Sequence, residues 1–451
     1  MSPVHHIDAI VAEIGSTTTV VSAFDGFTSG DPRLLGQGFA ATSVEEGDVG
    51  IGLAAARAAL EAGTGPLQPS VTLATSSAAG GLRMTVHGLT TKMTAMAARE
   101  AALGAGAVVK YQTSGRLRDA DLAEIDSVRP NLVLLAGGVE GGDSETVLFN
   151  AGRLSELTAR PVVVYAGNSA VAGEARALLE AAGFRVKVTA NVYPGVDELD
   201  IVPARHVIHD AFEEHITHAP GMERIGEFVS GRILPTPGAV LIAAEALARE
   251  IGDLVVVDVG GATTDVHSVT DGSPEMAAMA TDPQPHAKRT VEGDLGTFVS
   301  AEEVAALMPL AERPEALPPA LPRTDAEIAA AVSLARVAAV TAMRRHAGHL
   351  AHLYTPKGRQ TVAKGRDLTA CRLVIGTGGA LVRLPAGASA LRAACSSAGA
   401  GDLLLPPADA HVVLDADYVF ACCGALLSRF DPTAVVALMR RSLGDLTASG
   451  D

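Results

Sequence analysis

Glu13 and Asp258 each stand two positions ahead of a turn of glycine and small hydroxyl residues, Gly15-Ser16-Thr17-Thr18 in one case and Gly260-Gly261-Ala262-Thr263-Thr264 in the other. Such residues let the main chain approach an anion without a Cβ in the way, and they aim backbone N–H groups and hydroxyls outward. A carboxylate beside the turn is the group that a divalent ion bridging phosphates prefers, usually through water. Asp258 is also placed to orient an attacking water. Two such turns facing each other can grip the phosphates of one nucleotide from opposite sides. A tight hairpin with an acidic neighbour has the same short sequence, so one copy decides little. Here Gly15 and Gly260 repeat the pattern 245 positions apart. A third turn, Gly376-Thr377-Gly378-Gly379, follows an apolar run and suits a flat adenosine lying on bare backbone.

The elements that must carry these turns are legible as β-type runs on either side of them. The first segment reads as a meander, Ile7–Ala12, Val20–Phe24 and Leu34–Ala40, followed by a helix over 45–62 and a strand at Val71–Ala74. A serine and glycine loop over 75–81, with Arg83 after it, reads equally as an anion or partner contact and as a plain polar connection. A helix is expected at Thr90–Leu103. From Val108 to Thr189 strands and helices alternate at the spacing of a parallel, covered sheet. An apolar helix over Gly238–Glu250 precedes the second turn. The five prolines between Pro309 and Pro322 predict an extended surface segment, and an alanine-rich helix follows over Asp325–His352. A strand at Cys371–Val374 leads into the third turn, and Val412–Leu414 and Cys422–Phe430 close the chain as strand and helix. The expected organisation is a first half over 1–237, carrying an inserted α/β region at about 107–218, and a second half over 238–451.

With 35 Lys and Arg against 51 Asp and Glu, the net charge of −16 repels polyphosphate backbones and gives no support to a nucleic-acid or anionic-membrane partner. Cys371, Cys395, Cys422 and Cys423 show no paired spacing, so neither a disulfide framework nor a zinc ribbon is expected, and a reducing cytoplasm is the simpler setting. No basic region followed by an apolar one opens the chain, and the apolar stretch Gly238–Ala248 is short of the roughly 20 residues that cross a bilayer. His206, His209, His215 and His218, and the trio His346, His349 and His352, lack any H-E-x-x-H pattern and read as solvated or capping residues. Gly137-Gly138 and Gly141-Gly142 depart from the dinucleotide spacing and read as a structural turn. Glu292 and Asp294 read either as lining a cleft or as a solvated turn, and Cys422 and Cys423 as buried small thiols.

Three glycine turns in this order resemble the actin, sugar-kinase and Hsp70 ATPase superfamily, most closely over Asp258–Val266. Within it, Glu13–Thr19, the run from Thr75 to Met84, Leu135–Gly138, Tyr165–Asn168, Asp258–Ser268 and Thr290–Gly296 resemble the glutamate mutase accessory protein family, also called MutL and unrelated to the mismatch-repair protein of that name. The resemblance spans residues 12 to about 380. It implies two ribonuclease-H-like halves around a nucleotide cleft, ATP with Mg2+ as cofactors, and Glu13 and Asp258 as catalytic and metal-organising acids. It also implies an ATPase that services an adenosylcobalamin-dependent mutase of the glutamate mutase or aminomutase type, exchanging damaged cobalamin for intact coenzyme. The superfamily usually has Asp where this chain has Glu13, one methylene longer. A small-molecule kinase using the same cleft, and a scaffold that binds nucleotide without hydrolysing it, remain alternatives. The oligomeric state stays open, a homo-oligomer included.

Overall fold

A computed structural model describes residues 4–44, 46–78, 82–216, 219, 221–355, 358–395 and 401–444. They fall into two compact units, Met1–Ala78 together with Arg224–Asp451, and Ala79–Glu223. The chain opens with a meander of β1 (His5–Ile14), β2 (Thr18–Asp25) and β3 (Arg33–Ala41), antiparallel neighbours in sequence order. Helix α1 (Val49–Thr64) follows, its start fixed by the Asp48 carboxylate, which accepts from Gly50 N at 2.8 Å. Strand β4 (Leu67–Ser76) then returns parallel to β1, with Thr75 level with Glu13.

The second unit alternates β5 (Arg83–Gly88), α2 (Thr94–Gly104), β6 (Val108–Ser114), α3 (Asp119–Val128), β7 (Leu132–Leu135), α4 (Glu145–Leu154), β8 (Val162–Tyr165), α5 (Ala172–Ala181), β9 (Val186–Val188) and α6 (Val202–Ile216). Its five strands are all parallel, in the order β6-β5-β7-β8-β9. Four-residue runs such as Leu132–Leu135 and Val162–Tyr165 are buried throughout, as strands covered on both faces must be. The expected alternation from Val108 is there, but the unit also takes in β5 and α2, because β5 is the strand that β6 and β7 flank. Gly138 turns the chain after β7 at φ +72°, and a Cβ there would meet the Asp143 carbonyl oxygen at 2.1 Å, so the turn is held by backbone packing.

The chain returns to the first unit at β10 (Ile233–Pro235), which pairs parallel with β4 and completes a sheet of order β10-β4-β1-β2-β3. Helix α7 (Thr236–Ile251) starts on Pro237 in its first turn. Then come β11 (Leu254–Val259), β12 (Thr264–Val269), the short α8 (Pro274–Ala277), β13 (Ala287–Glu292), α9 (Ala301–Ala306) and α10 (Asp325–His346). The long helix is opened by a reciprocal cap between Thr324 and Glu327. It ends at His346 and not at His352, because Ala347 turns extended and 349–364 form a hairpin of β14 (His349–Thr355) and β15 (Gly358–Lys364). By length and composition α10 could cross a bilayer; here its alanine and leucine face lies in the core beneath β11 and β12.

Strand β16 (Leu373–Thr377), α11 (Gly379–Val382), α12 (Gly387–Cys395), β17 (His411–Leu414), α13 (Phe420–Leu426) and α14 (Pro432–Leu443) finish the chain. The second sheet reads β13-β12-β11-β16-β17, again three antiparallel strands and then two parallel ones. The two sheets are thus topological copies of each other. Helices α7 and α13 pack together, and one apolar cluster joins Val11 and Leu73 of the first sheet with Val256 and Ile375 of the second.

Candidate functional site

Each phosphate-type turn joins the central strand of its sheet to the next antiparallel strand. In the first, Gly15 N donates to Thr18 O at 3.0 Å; in the second, Gly260 N donates to Thr263 O at 2.9 Å, so the two turns have the same closure. Their carbonyls are bound from behind. Gly15 O accepts the Thr42 hydroxyl at 2.8 Å and Thr17 O accepts Thr42 N, while Gly261 O accepts Phe298 N and Val299 N at 2.8 Å each. Among the described residues the backbone N–H groups of Ser16, Thr17, Gly261 and Ala262 are left without a partner, the arrangement of an anion nest. The turns also approach each other: a Cβ built on Gly261 would lie 3.9 Å from Thr17 Cγ2. Thr264 differs from its neighbours, since it is buried and gives its hydroxyl to Leu295 O.

Glu13 and Asp258 end the central strands on facing sides of this gap, near enough to repel each other. Asp258 is pushed up to about 8, first by loss of water and then by Asp265 and Glu13. Glu13 is pushed up to about 7 by burial, against a hydrogen bond from Tyr418, whose hydroxyl donates to Glu13 Oε1 at 2.9 Å. Asp265 sits level with Asp258 on β12 and is held in a buried ion pair with Arg289, 2.6 Å, reinforced by Arg289 Nε at 2.8 Å. Asp415 is buried as well and raised by that burial, although it accepts from Thr377, Ser442, Val419 N and Phe420 N. Two further hydroxyls, those of Thr75 and Thr236, are buried with no partner among the described residues. Orphaned hydroxyls cost free energy, and these two stand at the carboxyl end of the sheet that carries Glu13.

The third turn follows β16, which pairs parallel with β11 so that Thr377 lies level with Asp258. Gly376 is packed against Leu391, Leu414 and Leu381 in the core. Gly378 takes φ +86° and lies directly against the Asp258 carboxylate; over Gly379, which opens α11, the space is free. The turns expected to hold phosphates and adenosine therefore meet around Asp258.

Other expectations resolve differently. Glu292 and Asp294 are bound by Arg345, both at 2.7 Å. His346 bridges Thr290 and Ser268 through its two ring nitrogens, and burial holds it well below the usual histidine range. His206, His209 and His215 lie on α6, and His218 is outside the described residues, as are 79–81 of the serine and glycine loop. Arg83 opens β5. The four cysteines are buried free thiols, with Cys371 pushed up to about 12 and Cys395 to about 11 by burial. Among the described residues no group of three or more His, Cys, Asp or Glu side chains is set to cage a metal ion. A magnesium that keeps its waters and is carried by phosphates needs only one or two carboxylates. The facing acids and unpaired N–H groups fit a nucleotide with such an ion.

The sequence does not single out Tyr418, Asp415, Arg289 or Arg383, since each takes its role from partners distant along the chain. Only the apolar run before Asp415 marked a strand end there.

Two sheets of one topology, joined by packed helices and carrying matched glycine turns, define an actin-type ATPase fold. The model of the MutL protein family matches residues 9–443. A relative, Protein MutL of Clostridium tetanomorphum, is 38% identical over 401 residues, covering 82% of this chain and 85% of that protein. The chain belongs to the MutL family. Among solved structures, nucleotide-free acetone carboxylase is 12% identical at a TM-score of 0.40, over 93% of this chain and 70% of that one. Component A of Acidaminococcus fermentans (R)-2-hydroxyglutaryl-CoA dehydratase is 8% identical at 0.29, over 97% and 100%. A glycerol dehydratase reactivase is 9% identical at 0.33, over 93% and 99%.

Proposed function

We propose that this protein is an ATP-hydrolysing reactivating factor for an adenosylcobalamin-dependent mutase of the glutamate mutase or aminomutase type. The observation that carries the ATPase part is the pair of identically closed turns with unpaired N–H groups, flanked by Glu13 and Asp258. Family membership and the sequence resemblance to glutamate mutase accessory proteins support the mutase part.

In this reading Ser16, Thr17, Gly261 and Ala262 bind phosphate oxygens through their main chain, and the hydroxyls of Thr18 and Thr263 stand beside them. Bound magnesium would neutralise charge on the phosphates, with Glu13 and Asp258 holding it through water. Asp258 orients the attacking water. Gly378 and Gly379 offer bare backbone to the adenosine. Hydrolysis relaxes the grip of the two turns, and the halves that carry them move relative to each other. That motion is what opens the mutase so that inert cobalamin leaves. Residues 1–237 and 238–451 are the two halves, with the α/β unit inserted in the first as the part that distinguishes this protein from a plain ATPase.

Asp258→Ala should abolish phosphate release while the melting temperature stays near that of the parent; unchanged turnover defeats the catalytic assignment. For the partner, a mutase inactivated with hydroxocobalamin should regain activity on addition of this protein, ATP and fresh adenosylcobalamin. No recovery with either glutamate mutase or ornithine aminomutase defeats the partner assignment. Glu13 in place of the aspartate that the resemblance implies motivates a second reading, a nucleotide-gated scaffold, whose signature would be tight ATP binding without phosphate release.

A further inference from the structure

Tyr418 sits in the left-handed region at φ +52°, one of four non-glycine residues at positive φ among those described. A side chain with a Cβ pays roughly 1–2 kcal/mol for that conformation, and such outliers persist only where the surroundings impose them. The surroundings here are explicit. Tyr418 N donates to Asp415 O at 2.9 Å, Ala416 N to Ser442 O at 3.1 Å, and Asp417 N to Ser442 Oγ at 2.9 Å. The Asp415 carboxylate fastens the next two N–H groups, Val419 at 3.0 Å and Phe420 at 2.9 Å. The segment between β17 and α13 is thereby clamped, and the strained tyrosine is delivered to Glu13, 405 positions away in sequence.

Arg383 completes the arrangement. Its guanidinium carbon lies 4.9 Å from the centre of the Tyr418 ring and 4.2 Å from that of Phe39, and among the described residues it has no carboxylate within ion-pair distance. A cation stacked on the ring fixes its plane and polarises the phenol toward donation.

We propose that Tyr418, braced by Arg383, is the positioning residue for Glu13, holding the carboxylate that flanks the first turn in one place. This rests on the reading of Glu13 as a working acid of the site. The buried hydrogen bond fixes one rotamer of a glutamate side chain whose carboxylate would otherwise be free to turn.

The test is a double-mutant cycle on the full chain, with phosphate release as the rate and ATP affinity by calorimetry. Tyr418→Phe keeps the ring over Arg383 and should lower kcat about tenfold, or about 1.4 kcal/mol, with ATP affinity within about twofold of the parent. In a Glu13→Asp background the shorter carboxylate cannot reach the phenol, so adding Tyr418→Phe should cost less than about twofold. Arg383→Met should repeat the pattern with a smaller loss. An equal loss in both backgrounds would make Tyr418 a structural residue and overturn the proposal, as would no loss with Glu13 in place. Glu13→Gln separates this from the underlying reading: if that variant turns over at the parental rate, Glu13 is not a working acid and it is the reading that fails.

Discussion

Gly378 and Gly379 are adjacent glycines with opposite surroundings, and replacing each by alanine separates packing from ligand contact. At Gly378 the backbone holds φ +86°, and a Cβ would stand 2.4 Å from Asp258 Oδ1, 2.5 Å from Val259 O and 2.7 Å from Val259 N. The left-handed conformation alone costs roughly 1–2 kcal/mol. The overlap forces Asp258 or the end of β11 to shift, which in a packed region adds roughly 1–3 kcal/mol. Gly378→Ala should therefore destabilise by about 2–5 kcal/mol and lower the Tm by several degrees. At Gly379 nothing lies within 4 Å of a new Cβ and φ is ordinary, so alanine in this first helical position leaves Tm unchanged or slightly raised. If adenosine lies on this turn, the same methyl group occupies its place and the KM for ATP rises about tenfold. Calorimetric melting and ATP hydrolysis on both variants provide the check. A Gly378→Ala protein as stable as its parent refutes the packing argument, and a Gly379→Ala protein with parental KM refutes the placement of adenosine.

Arg289→Ala leaves Asp265 buried without its cation and should cost about 3–5 kcal/mol; a Tm within about 1 °C of the parent's would contradict the ion pair's role. Because Glu13 rises from 4.5 to about 7 and Asp258 from 3.8 to about 8, the nucleotide-free fold holds protons that the unfolded chain has already released. Its stability should fall as pH rises from about 5 to about 7.5, by up to about 1.4 kcal/mol per pH unit for each acid. The combination of Glu13→Gln and Asp258→Asn should flatten that slope in a thermal-melt series, and a slope of the opposite sign would refute it. All four cysteines are buried free thiols, so a thiol reagent should label the native protein slowly and reach four equivalents only in denaturant; rapid labelling of a single thiol would contradict that burial.

The strands around the glycine turns were legible because hydrophobic runs and turn residues act locally. Val255–Val257 and Ile10–Val11 have few alternatives to a buried strand, and Gly260-Gly261 can be little else than a turn. What stayed hidden depends on partners distant in sequence. Strand β5 carries only Met84 and Val86 as apolar residues, too few to announce a strand, yet it pairs with both β6 and β7. The hairpin after His346 reads as a continuation of the helix, since His349, Leu350 and Ala351 suit either state, and the pairing of β14 with β15 decides it.

The same division runs through the candidate site. Residue type singled out Glu13, Asp258 and the glycine turns because what draws attention to them is in the side chain or in its absence. The reason the two acids differ is not local. Asp258 is set by Asp265, its cross-strand neighbour, and by the glycine pressed against it, so a short side chain is the one that fits. Glu13 is buried as well. Thr75 stands beside it with an unpaired hydroxyl, and the Glu13 carboxylate accepts from Tyr418, which lies between β17 and α13. Glu13 thus meets a tyrosine in the left-handed region supplied from the far end of the chain, a contact that only the folded arrangement makes visible.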